Sequence, residues 1–168
     1  MVQGIQSAHE VSGAFDSVFL ALQAFVVLFL LFHDWVPLGR LNNLGAIQSE
    51  DSFWRRVFVT LLPAVPAALG LYWSWINFDR AYPGGVTFYL WVTYGLLFLG
   101  MLRAWWIPYL LIPDPERAAR YRILFKNTHT FLPVRNGLAP DSLHVSLHLV
   151  CLMILFLLFL RGYIARIG

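Results

Sequence analysis

A single cysteine, Cys151, stands in the chain, so neither an internal disulfide nor a Cys-x-x-Cys redox pair can form. A quinone-linked disulfide oxidase and a thiolate metal cage are excluded with them. Cys151 lies in an apolar run, where a small packing residue is its simplest role. Charge is scarce as well. Asp, Glu, Lys and Arg make up 12% of the 168 residues, against about 25% in soluble domains. The net charge of +3 is too small for a nucleic-acid surface, so no nucleic-acid partner is expected. The chain also lacks nucleotide-binding, protease and kinase motifs, internal repeats and low-complexity tracts.

What is there is apolar. Hydrophobic residues make up 59% of the chain, and the mean hydropathy is +0.65. A soluble core of this size cannot hide so much apolar surface, so lipid is the expected solvent. Four segments, about 14–32, 53–75, 86–111 and 143–160, are long enough to cross roughly 30 Å of hydrocarbon. Turn signals such as Pro37-Leu38-Gly39 and Tyr82-Pro83-Gly84-Gly85 bound them. No Lys or Arg precedes the first apolar run, which carries Glu10 and Asp16 instead. A cleaved signal peptide has the opposite charge, so the first helix is expected to stay. The expected fold is one all-α domain, an up-down bundle of four transmembrane helices.

Charge orients that bundle. Nine of the twelve Lys and Arg belong to the first-to-second and third-to-fourth connections and their flanks. Only Arg80, Arg161 and Arg166 fall on the opposite side. The positive-inside bias then puts both termini outside and the two longer loops in the cytoplasm, as in a bacterial plasma (inner) membrane. Trp35, Trp54, Trp105 and Trp106 mark the inner interface, and Trp73, Trp75, Tyr82, Tyr89 and Trp91 the outer one. The last loop opens with Asp114-Pro115-Glu116, an N-cap carboxylate followed by proline at the first helical position. An amphipathic helix over about 115–126 is expected to lie on the cytoplasmic membrane surface.

The polar residues that remain gather at that same end. His33 and Asp34 close the first helix, His129 sits in the last loop, and His144 and His148 enter the fourth helix. Asp141, His144 and His148 are spaced i, i+3, i+7 and share one helix face. Such N/O donors suit a transition metal if three or four converge on one point, so Asp141, His144 and His148 are candidate ligands. Arg103 interrupts the third helix, and with Arg40 and Arg135 it offers guanidinium forks to a phosphate or carboxylate. His33, Asp34, Arg40, Arg103, His129, Arg135, His144 and His148 therefore form the candidate ligand site. Gln23 lies mid-membrane on the face of Asp16, where an amide usually bonds between helices. Pro63 and Pro66 are expected to kink the second helix.

The spacing His144-x3-His148 resembles the first histidine box of membrane fatty-acid hydroxylases and desaturases, over five residues of the chain. Those families carry many more histidines and a His-x-x-His-His box, which this chain lacks, so the spacing assigns no family. Haem between helices is not expected either, because the second and third helices contain no His. Small multidrug transporters are also four-helix proteins, but they use an ionisable Glu where this chain has Gln23. Three classes stay open. The first is a membrane protein binding a small anionic ligand, a lipid headgroup or a metal at the cytoplasmic face. The second is an accessory or assembly subunit of a larger membrane complex, and the third a small oligomeric transporter or channel. No residue set names a reaction.

Overall fold

In the computed structural model, residues 2–167 are described as backbone and residues 13–164 with side chains. Glu10 and Arg166 lie outside the described side chains. The described residues are helical and contain no strand, only an isolated bridge between Arg135 and Leu138. Four helices have the length and apolar composition to cross a membrane: α1 (Val2–Phe32), α3 (Phe53–Ile76), α4 (Gly84–Met101) with its continuation, and α7 (Ser142–Ile167). Their apolar stretches are Gly13–Phe32, Phe53–Ile76, Gly84–Leu110 and Ser142–Ile164. Four such helices mark a membrane protein.

The connections are more helical than the sequence suggested. A short α2 (Leu44–Glu50) was not anticipated, and Asn43 caps it by accepting from Ala46 N. Its seven residues carry no apolar periodicity long enough to detect. After α4 the chain runs through a π-helical turn, Leu102–Trp106, into α5 (Ile107–Leu110). The helix that begins at Pro115 is α6 (Pro115–Leu124), capped by Asp114 accepting from Arg117 N. It stops at Leu124, because Phe125 and the left-handed Asn127 break the turn before Lys126 can extend it.

α1 packs against α3 and α7, and α4 packs against the same two helices. The interior holds Phe19, Val26, Leu30, Ala64, Ala67, Leu90, Tyr94, Cys151, Ile154 and Leu158. Burial of a few polar side chains ties this interior together. Gln23 Nε2 donates to Ser74 Oγ at 2.8 Å, and Tyr94 Oη reaches Gln23 Oε1 at 3.4 Å. In hydrocarbon such bonds are worth about 0.6 kcal/mol on average, enough to set register rather than to dominate stability. At Gly70 a Cβ would stand 3.0 Å from Leu90 Cδ2, so glycine lets α3 and α4 approach there. Tyr89 Oη donates to the Pro66 carbonyl at 2.9 Å. On the outer face of α1 and α3 a groove of about 470 Å³ opens beside Ala21, Ala24, Ala68 and Tyr72.

A charged lock closes one end. Arg161 on α7 is paired with Asp16 on α1, donates to the Arg80 carbonyl at 2.8 Å, and lies 3.6 Å above the Tyr82 ring. The second Asp16 oxygen accepts the Asp79 N–H at 2.8 Å. Asp16 is 1% exposed, so helices α1 and α7 and the α3–α4 connection meet on one carboxylate.

Candidate functional site

At the opposite end the last turn of α1 positions the first imidazole. His33 Nδ1 lies 2.9 Å from the Phe29 carbonyl, four residues back, and its ring stacks on Phe29 at 4.5 Å between centroids. A carbonyl only accepts, so Nδ1 carries the proton. His33 Nε2 then faces Asp34 Oδ2 at 3.3 Å, and this contact is attractive only when the pair holds a further proton. Burial holds the His33 basicity below the ordinary value of 6.5, with Asp34 raising it and His144 lowering it. A depressed histidine in the folded state favours the neutral form. Its contribution to stability therefore declines as pH falls from 6.5 through the lowered value.

The start of α7 positions the second imidazole. Asp141 is the capping residue: Oδ1 accepts the His144 N–H at 2.9 Å, and Oδ2 accepts from His144 Nδ1 at 2.9 Å. This carboxylate is 1% exposed. With Nδ1–H committed to it, neutral His144 presents its lone pair at Nε2. The ring sits among His33 at 5.8 Å, Trp105 at 4.8 Å, Phe125 at 5.2 Å and Phe29 at 6.0 Å between centroids. One turn further, His148 is 3% exposed, and its Nδ1 accepts from Trp106 Nε1 at 3.0 Å. An indole only donates, so neutral His148 carries its proton on Nε2. The two α7 imidazoles are thus fixed in opposite tautomers, 6.4 Å apart.

The π turn explains how two consecutive tryptophans reach two histidines. Successive residues of an α-helix point about 100° apart, and a π turn, which widens the helix, is common at functional sites. Pro108 has no N–H to give the carbonyl of Ala104, four residues back. That carbonyl instead accepts from Arg117 Nη1 at 3.1 Å, with a longer contact of 3.4 Å to the Arg103 carbonyl. Asn136 Nδ2 donates to the Pro108 and Tyr109 carbonyls at 3.1 and 3.2 Å, which closes the end of α5. Asn136 and Gly137 both have positive φ, and a Cβ at Gly137 would come within 3.2 Å of the Ala118 Cβ. The last loop is therefore built against α5 and α6.

Some of the residues grouped from the sequence come together here and others do not. His33, Asp34, Asp141, His144 and His148 share one cluster. His129 is exposed and is tied to the start of α7: its Nδ1 lies 2.7 Å from Ser142 Oγ, and its carbonyl accepts from Ser142 N at 2.9 Å. Arg40, Arg103 and Arg135 are exposed and make no side-chain bond to the cluster. Arg40 contributes its carbonyl, which accepts the His129 N–H at 2.7 Å. The metal set Asp141, His144 and His148 does not converge. Asp141 is spent on His144 and His148 Nδ1 on Trp106, and no group of three or more donors fit for a metal ion occurs among the described residues. His148 finds its hydrogen-bond partner on the π turn, where Trp106 directs its Nε1 inward. Trp105 is only 4% exposed, packed inside the protein.

Three participants were not singled out as partners from the sequence: Trp105, Trp106 and the Asp51 carboxylate. Asp51 accepts from Arg120 Nη2 at 2.7 Å, linking α2 to α6, and forms an ion pair with Arg55 Nε at 3.0 Å. The Pro108 break beside a Trp pair was the available signal for the first two. No protein-family model, curated protein or solved structure matches the chain.

Proposed function

We propose that the four spans form an up-down bundle with both termini outside, and that α6 lies on the cytoplasmic interface. The nine-to-three division of Lys and Arg supports this orientation. Reporter tags at either terminus then read as external, and labels near Arg40 and Arg117 as cytoplasmic. Cytoplasmic labelling of the C-terminus overturns it.

On this frame the imidazole–carboxylate cluster at the cytoplasmic end binds a small anion together with a proton. The observation that carries the proposal is the buried Asp141 fixing His144 Nδ1, which leaves Nε2 as the protonatable nitrogen beside two other imidazoles. Protonation of the His144 ring adds a positive charge and a second N–H donor at Nε2, while Asp141 is already engaged at Nδ1. An anion supplied from outside answers that charge. Acetate serves as the test anion for purified protein in neutral-lipid nanodiscs. Where acetate itself stays ionised, binding tightens by up to about tenfold for each unit the pH falls while the cluster is still neutral, the slope of one linked proton, and levels off once that proton is bound. His144→Gln removes that pH dependence. Acetate binding that is independent of pH, or unchanged in His144→Gln, overturns the proposal.

A further inference from the structure

Arg56 has an environment unlike that of the other basic residues. Arg55 and Arg120 share Asp51, Arg117 pairs with Asp114, and Arg161 pairs with Asp16. Arg40, Arg80, Arg103, Arg122, Lys126 and Arg135 are exposed to solvent or headgroups. Among the described residues Arg56 is the one half-buried cation with no acceptor, and its Nε is buried without a hydrogen-bond partner. The guanidinium is nevertheless held in place. It lies 4.7 Å from the Trp35 ring centroid, and that ring is fixed by Trp35 Nε1 donating to Thr60 Oγ1 at 2.9 Å. Arg56 and Thr60, one turn apart on α3, grip Trp35 from the same helix face.

The surroundings indicate the charge and the chemistry of what is missing. Arg56 stands in the first turn of the 24-residue α3, where the helix dipole adds to its positive charge. The nearby Asp51 carboxylate is already shared by two other arginines. Phe53 and Trp54 beside it are 55% and 76% exposed, an apolar rim of the kind that sits at the headgroup level. A planar guanidinium matches phosphate oxygens through paired N–H bonds. We propose that Arg56, backed by Trp35, binds the phosphate of an anionic phospholipid, at a site separate from the imidazole cluster.

Native mass spectrometry of the full chain, released from nanodiscs of mixed phosphatidylglycerol and phosphatidylcholine, tests this. Wild-type protein retains phosphatidylglycerol in preference to phosphatidylcholine. Arg56→Gln lowers that preference by about fivefold, the weight of one cation near an anionic membrane surface. Arg56→Lys, which keeps the charge and loses the fork, falls between them and also serves if Arg56→Gln does not fold. Arg55→Gln leaves the preference unchanged, because Arg55 is already paired. Competition with inorganic phosphate separates two sources of the same chemistry. No displacement supports the lipid, and full displacement supports a soluble phosphate at the same residue. Equal lipid retention in wild type, Arg56→Gln and Arg56→Lys overturns the site. So does an equal loss in Arg55→Gln, which reduces the effect to general basic charge.

Discussion

Replacing Arg161 by leucine is expected to destabilise the protein by about 3–5 kcal/mol, the range for breaking one side of a buried ion pair. Asp16 is 1% exposed and sits inside the apolar stretch of α1. Without Arg161 one of its oxygens keeps only a desolvated charge, while the other still accepts from Asp79 N. The same change removes the bond to the Arg80 carbonyl and the cation stacked on Tyr82. Adding Asp16→Asn to Arg161→Leu recovers most of the loss, because the amide oxygen still accepts from Asp79 N and no charge is left unpaired. Unfolding in mixed micelles, followed by helical circular dichroism, measures both variants. A loss below about 1 kcal/mol for Arg161→Leu is what an exposed pair gives, and it would show that Asp16 and Arg161 do not lock this end.

That pair also marks the limit of what the chain discloses when read in order. The four membrane helices are legible because each is a continuous apolar run, and lipid demands nothing subtler. The start of α6 is legible because capping is local: Asp114, Pro115 and Arg117 lie within four residues. Asp16 and Arg161 are 145 residues apart, and the Asp51–Arg120 bond spans 69. No periodicity reports such distances. The gathering of histidines at one end needs only counting along the chain. Their tautomers do not follow from it, because they are set by Trp106, Asp141 and the Phe29 carbonyl. The two tryptophans look like interfacial anchors because Trp usually is one. What turns them inward is a π turn beside Pro108 and the Arg117 side chain that takes the freed carbonyl. Arg40, Arg103 and Arg135 share the cluster's end by charge counting, yet their side chains stay outside it, because exposed guanidinium groups keep their hydration.

Asp141→Asn separates the two functions of that carboxylate. Its Oδ1 caps α7 through the His144 N–H, and an asparagine oxygen does this equally well. Its Oδ2 receives the His144 Nδ1 proton, and there the amide presents N–H groups instead. Neutral His144 must answer by moving its proton from Nδ1 to Nε2. The charge-assisted bond, worth about 1.5–3 kcal/mol, is lost while the cap is kept. Asp141→Ala loses both, and the cap adds about 1 kcal/mol. Asp141→Asn should therefore unfold more easily than wild type and less easily than Asp141→Ala. Nitrogen-15 spectra of histidine-labelled protein check the chemical part. In wild type near neutral pH the His144 Nδ1 signal is that of a protonated nitrogen, and in Asp141→Asn the two ring signals exchange character. Acetate uptake at low pH falls with it, because Nε2 no longer carries the lone pair that accepts the incoming proton. If the His144 signals stay in place while stability drops, Asp141 acts only as a helix cap, and the imidazole beside it is not held ready for a ligand.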